Sequence, residues 1–316
     1  MLKYIETFYK SRYLVSEIAI ATGRRVVTAE HWKFCANKLI ERNLAYQDAA
    51  ENIMWLLTPT KVTAHRDLLS NYLPAGRFNS WAINLLTALD ENPHSPRIYF
   101  NPSILSGLND FFACDSHWTA QAAKKYVEPI IEAIGVDPNS LKLRQENILH
   151  QGNCNFGSND GFAKEASVQY EAMSFTELFA TRAYAVPDFS VKYGVNPHAE
   201  LGRALIVHSS SYAYVRGVFR SMFSSLVEVF SPYVSAEVIK EGKFDYVIVI
   251  SAERNCAVVY DGGKFGERIL NSLATPYIQE TARSLMTYTS DVTGGKLDTA
   301  FINALGRSWL GDTGEI

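Results

Sequence analysis

The run Ala204-Leu205-Ile206-Val207-His208 leads without a break into Ser209-Ser210-Ser211, and a helical apolar pattern begins a few residues later. Consecutive apolar side chains of this length suit a strand covered on both faces, as strands of parallel sheets are. The same signature recurs at Tyr246-Val247-Ile248-Val249-Ile250, and in shorter form at Ile53-Met54-Trp55-Leu56-Leu57 and Arg97-Ile98-Tyr99-Phe100. The last two stop at Thr58-Pro59 and Asn101-Pro102. Between the strands lie amphipathic helical patterns. Thr28 caps one through Trp32, Cys35, Leu39 and Ile40. Thr119 caps another whose apolar face is Ala122, Ala123, Tyr126, Val127, Ile130, Ile131 and Ile134, with Gly135 as its stop. Pro129 inside that pattern is expected to kink or split the helix. Strands alternating with helices predict an α/β fold with a doubly wound parallel sheet of flavodoxin-like type, its ligands at the carboxyl ends of the strands.

Outward from this frame, residues 1–50 read as a helical N-terminal extension, 51–275 as the α/β domain and 276–316 as a helical tail broken at Gly294-Gly295. One helix is expected to carry Val215, Phe219, Met222, Phe223, Leu226 and Phe230. Ala257-Val258-Val259-Tyr260 reads as a short edge strand ending in Asp261-Gly262-Gly263. Residues 150–165, rich in turn formers and without period, read as a long loop that could line a site.

Composition removes several function classes. The hydrophobic share of 47% and charged share of 20% are ordinary globular values. A net charge of -3 without a lysine/arginine run leaves no nucleic-acid footprint. Cys35, Cys114, Cys154 and Cys256 are scattered, without metal-ligand or disulfide spacing, so no metal site is expected. Met1-Leu2-Lys3-Tyr4-Ile5-Glu6 lacks the pattern of a signal peptide, and no apolar run approaches the roughly 20 residues of a membrane span. The expected location is cytoplasmic, or periplasmic if a leader has been removed.

Asp115-Ser116-His117-Trp118, taken with Ser210, holds the parts of an acyl-transfer triad. An aspartate fixes the imidazole tautomer, the histidine takes the hydroxyl proton, and the serine attacks a carbonyl. A serine just past a strand end, opening a helix, is presented at a tight turn with backbone N–H groups nearby. Each half alone has a plainer reading: serines favour helix N-caps, and Asp-x-His also suits a surface loop or two metal ligands. Further candidates for oxyanion or substrate contacts are Arg254, Ser211, Asn255, Tyr212 and Trp118. Arg254 suits an ion pair equally well, and Trp118 suits the core. Tyr214 could line the same pocket, His208 could be a buried strand-end histidine, and Cys114 could compete as a nucleophile.

Here the chain resembles a known group. Asp115-Ser116-His117-Trp118-Thr119 is similar to the Asp-x-His-Trp signature of the alginate O-acetyltransferase group, SGNH-hydrolase-like enzymes of bacterial polysaccharide modification. Leu205–Tyr212 resembles that group's strand ending in Asp-Ser-Phe, with Ser210 in the nucleophile position and Ser209 where the group has aspartate. Phe244–Ile250 with Glu253-Arg254, and Leu57-Thr58-Pro59-Thr60-Lys61 followed by Leu73-Pro74, resemble two further segments. The likeness spans about residues 50–270, and the group's order, Asp-x-His before Ser, matches the order in this chain. It implies an O-acetyltransferase or acetylesterase working through an acetyl-serine, with a carbohydrate acceptor and no prosthetic cofactor. A cytoplasmic transferase would take its acyl group from a donor such as acetyl-CoA. The alternative is a non-catalytic carbohydrate-binding or polysaccharide-assembly protein that has kept the fold, which the serine at 209 favours.

Overall fold

In the computed structural model, the described residues are 4–6, 12–70, 78–90, 92–113, 115–151, 164–180, 190–231, 233–259 and 298–310. The four apolar runs become strands β3 (Asn52–Thr58), β4 (Ile98–Tyr99), β9 (Leu201–His208) and β11 (Tyr246–Ala252). With β7 (Thr176–Ala180), β8 (Ser190–Val195) and β10 (Phe223–Phe230) they form one sheet in the order β4-β3-β11-β9-β10-β8-β7. The first five strands of that order are mutually parallel, while β8 and β7 extend the sheet antiparallel beyond β10.

Both faces of the parallel part are covered, which is why its strands need no polar alternation. Trp55, Leu57, Leu205, Val207, Val227, Val229, Val247 and Val249 face a core shared with α2 (Ala29–Gln47), α4 (Trp81–Leu89), α7 (Ala236–Gly242) and a C-terminal helix, α9 (Thr299–Leu310). Leu56, Ala204, Ile206, Leu226, Ile248 and Ile250 face the opposite core, filled by α5 (Ala120–Ala133) and α6 (Arg216–Met222). Adjacent residues of one strand thus serve different layers, as the two-residue period of a strand requires.

Local signals act as expected at most boundaries. Thr28 and Thr119 accept the N–H groups of His31 and Ala122 as N-caps. Gly135, at φ 92, ends α5 with Val136 N–H on the Ile131 carbonyl and Gly135 N–H on that of Glu132, the two bonds of a Schellman cap.

Several expectations are corrected. Pro129 does not split α5. It lies on the exposed face, where water can take the carbonyl its missing N–H leaves free. The single helix expected through Phe230 stops at Met222, and Phe223–Phe230 is a central strand between β8 and β9. Cys256–Val259 is a helical turn, α8, rather than an edge strand. The loop expected at 150–165 is framed by a hairpin: β5 (Leu143–Gln151) pairs antiparallel with β6 (Lys164–Ala172), apart from the main sheet. The N-terminal segment contains a two-stranded ribbon, β1 (Tyr4–Glu6) with β2 (Arg12–Leu14), ahead of the helices α1 (Val15–Ala21) and α2. Cys114, residues 152–163, Tyr260-Asp261-Gly262-Gly263 and residues 276–297 lie outside the described residues. No helix among the described residues is long and apolar enough to cross a membrane.

Candidate active site

Ser210 stands immediately past the carboxyl end of β9, where Ser209 N–H still bonds the Ile250 carbonyl of β11 and a short 3-10 helix (Ser210–Tyr214) turns the chain toward α6. The leading N–H groups of such a turn have no partner within it. Asp115 and His117 sit on the segment before α5, with Phe112 N–H bonded to the His117 carbonyl and Thr119 N–H to the Asp110 carbonyl. This tight loop swings both side chains to the same edge. His117 Nδ1–H donates to Asp115 Oδ1 at 2.7 Å, and His117 Nε2 lies 3.0 Å from Ser210 Oγ. A carboxylate can only accept, so the imidazole proton belongs on Nδ1 and Nε2 is left as the acceptor for the serine hydroxyl. The three sequence-predicted side chains are therefore joined in one relay across 93 residues of sequence.

Asp115 is fully buried, and burial alone would raise its pKa. Hydrogen bonds from His117 and from His150 outweigh that effect and hold the carboxyl well below its ordinary range. His150, on β5, donates through Nε2–H to Asp115 Oδ2 at 3.1 Å, and its ring stacks on Phe112 at 3.6 Å. Lys61, the first residue of α3 (Lys61–Ala64), has no exposed surface. Its Nζ donates to the carbonyls of Phe112 at 2.6 Å, Ala113 at 3.2 Å and Asp115 at 3.3 Å. Sequence reading assigned neither residue a role. Lys61 follows the Pro59 stop of β3, a position that hinted at the sheet edge, but only the fold shows which carbonyls it meets.

A cavity of about 300 Å³ opens beside the serine, with His117, Ser209, Ser210, Tyr214, Arg216 and Lys192 among its walls. Tyr212 is buried and donates to Glu228 Oε1 at 2.6 Å. Arg220 also binds Glu228, so that carboxylate is compensated and lies below its usual pKa despite burial. His208 stacks on Phe230, and burial pushes it down to about 4. The Ser209 hydroxyl has no hydrogen-bond partner among the described residues.

The other candidates fall elsewhere. Ser211 receives the Thr58 hydroxyl at 3.2 Å, so its side chain faces β3. Trp118 is 2% exposed and donates to the Ser211 carbonyl at 2.8 Å; it supports the serine turn from the core and offers no stacking face. Arg254 pairs with the buried Glu17 at 3.2 Å, and neither it nor Asn255 lines the cavity. Arg216 and Lys192 are the cations at its wall. No cluster of possible metal ligands occurs among the described residues.

No family model and no curated protein matches the sequence. Solved structures do. Bacillus cereus PatB1, solved with a sulfonyl adduct, aligns with TM-score 0.60 at 14% identity over 81% of this chain and 97% of its own. A DHHW family protein from Eubacterium siraeum aligns with TM-score 0.58 at 13% identity, covering 74% and 88%. The O-acetyltransferase domain of Pseudomonas putida AlgJ gives 0.49 at 15%, covering 82% and 93%. The chain shares the fold of the first two, a doubly wound α/β sheet with an antiparallel edge.

Proposed function

We propose that this chain is a serine-dependent O-acyltransferase or carbohydrate esterase that passes an acetyl group through Ser210. The Asp115–His117–Ser210 relay supports this reading, with its 2.7 and 3.0 Å contacts at the carboxyl edge of the sheet. Ser210 Oγ attacks the acyl carbonyl as its proton passes to His117 Nε2, and Asp115 holds the imidazolium that results. The Ser210 and Ser211 N–H groups meet the oxyanion. His117 returns the proton to the leaving group as its bond to the acyl carbon breaks, leaving acyl-Ser210. An incoming hydroxyl then loses its proton to His117 and takes the acyl group, and Ser210 recovers its proton. A sugar hydroxyl makes the enzyme a transferase, and water makes it an esterase. An acetyl thioester such as acetyl-CoA is a chemically competent donor, and the sequence resemblance favours a glycan as acceptor.

The experiment is p-nitrophenyl acetate turnover with intact-mass detection of acetyl on Ser210. Wild type should release nitrophenol and gain one acetyl group. Ser210→Ala and His117→Ala should each lose most of the rate, and the double variant should be little worse than either, because triad members act as a unit. Undiminished turnover by Ser210→Ala would remove the serine mechanism. Absence of any release or label by wild type would favour the carbohydrate-binding alternative.

A further inference from the structure

We infer that His150 is a positioning residue of this site, a second histidine on Asp115 that fixes the carboxylate while His117 does the proton transfer. The inference rests on the serine mechanism above but concerns a residue outside the triad. Asp115 accepts from both histidines: Oδ1 takes the His117 backbone N–H at 3.1 Å and His117 Nδ1–H at 2.7 Å, and Oδ2 takes His150 Nε2–H at 3.1 Å. His150 is 9% exposed, and Asp115 has no exposed surface, so water does not replace this donor readily. The Phe112 ring lies 14° from parallel to the imidazole, and Tyr214 stands at its edge at 5.9 Å. Those neighbours fix the ring plane, and with it the direction of Nε2–H.

The hairpin that carries His150 holds the same loop a second time. Glu165, the register partner of His150 across β5 and β6, accepts the Ala113 N–H at 2.9 Å. Lys61 grips the carbonyls of Phe112, Ala113 and Asp115. The Asp115 loop is thus fastened by the hairpin through one carboxylate oxygen and one N–H, and by Lys61 through three carbonyls. Among the described residues, the charged or titratable groups around His150 are Asp115, its cross-strand partner Glu165 and Tyr214, with His117 on the other oxygen of Asp115 and Lys61 on the carbonyls of the same loop. Removing His150 takes one donor from Oδ2, and Asp115 becomes a stronger acceptor toward the remaining protons of its surroundings. The imidazolium of His117 gains from that change, so the acid limb of the rate profile should move to higher pH.

The test compares wild type, His150→Phe and His150→Gln with p-nitrophenyl acetate across pH 5–9. His150→Phe keeps the ring that stacks on Phe112 and removes the donor. It should lower kcat about tenfold to a hundredfold with little change in KM, and raise the acid limb by about half a unit to one unit. His150→Gln can offer an N–H to Oδ2 and should recover part of both. In an Asp115→Asn background, His150→Phe should add almost nothing. A second readout needs no turnover: the Nδ1–H proton resonance of His117 should shift in His150→Phe and move back toward its wild-type position in His150→Gln. Two outcomes overturn the inference. One is an unchanged resonance and acid limb in a folded His150→Phe, whether or not its rate falls. The other is an equal loss in the Asp115→Asn background. If the resonance shifts while wild type neither turns over ester nor acylates Ser210, His150 positions Asp115 and the serine mechanism alone is lost.

Discussion

Arg254 leaves the site and enters the stability of the molecule through one contact. Glu17 is 2% exposed, and burial raises its pKa to about 7 even with the Arg254 guanidinium beside it. Arg254→Ala removes that guanidinium and leaves the carboxylate buried without its cation. The loss should depend on pH: near pH 5 Glu17 is neutral with or without its partner, whereas near pH 8 it is charged in the wild type. We expect thermal unfolding of Arg254→Ala to fall several degrees below wild type at pH 8 and to approach it at pH 5, with kcat on a small ester unchanged at pH 8. An equal deficit at both pH values would refute the electrostatic account, and a large fall in kcat would return Arg254 to the chemistry. At this scale the sequence was informative only where chemistry and placement coincided. Ser210 combines a reactive type with a strand-end position, and Asp115 and His117 form a reactive pair just ahead of the Thr119-capped start of α5. Lys61 and His150 carry no comparable signal, because their partners are backbone carbonyls and a carboxylate brought near by folding.

Among the elements, the hairpin of β5 and β6 was the least legible and bears most directly on the site. Its strands mix Arg144, Glu146, Lys164, Glu165 and Glu171 with apolar residues, so they lack the buried runs that announced β3, β9 and β11. β10 was missed for the opposite reason. Phe219, Met222, Phe223, Leu226 and Phe230 fall at helical spacing, and an apolar stretch buried on both faces fits either period. The hairpin is seated against α6 at Gly217, where a Cβ would stand 1.9 Å from the Tyr170 carbonyl oxygen of β6. Alanine is the better helix former by about 1 kcal/mol, so propensity alone makes Gly217→Ala stabilising. The backbone contact should prevail, since a carbonyl in a ladder cannot retreat as a flexible side chain could. We therefore expect Gly217→Ala to unfold at lower temperature and to lose turnover through displacement of His150 from Asp115. A stable, fully active Gly217→Ala would show that the hairpin moves freely relative to the triad.

The whole molecule combines buried groups of opposite sign in pH dependence. His65 is 1% exposed, donates through Nε2–H to the Gly107 carbonyl at 3.0 Å, and is pushed down to about 4 by burial and by the nearby Lys61 charge. The unfolded chain binds its proton more readily, so the stability His65 contributes is present above about 6.5 and is lost as pH falls through about 4. Glu17, raised to about 7, contributes stability below about 4.5 that is lost as pH rises through about 7. Each shift corresponds to roughly 3 kcal/mol at its limit. Between about pH 4.5 and 6.5 the two slopes oppose and nearly cancel, so urea unfolding of wild type should show a plateau there and a small fall on either side. His65→Gln, which can keep an N–H for Gly107, should be less stable than wild type above about pH 6.5 and converge with it near pH 4; an equal difference at both pH values would exclude His65 as the source. The parallel layers and both apolar faces were readable from alternating strands and helices. The antiparallel edge of β8 and β7 was not, since half-exposed strands show weaker patterns and their pairing is decided by the neighbour they reach.

On the proposed mechanism, the pairing of β5 with β6 divides the reaction between two lengths of chain. The length before Gly152 carries Asp115, His117 and the positioning residue His150, and the length after Ala163 carries Ser210, the proposed nucleophile. A single proteolytic nick between those two positions would leave neither piece competent alone. The two would still share the hairpin ladder and the β3–β11 ladder inside the sheet. Ester turnover by the nicked protein should therefore survive as long as the pieces remain together and vanish when denaturant separates them. With the proposed chemistry, the chain would have the layout of a split enzyme whose activity reports the association of its own halves.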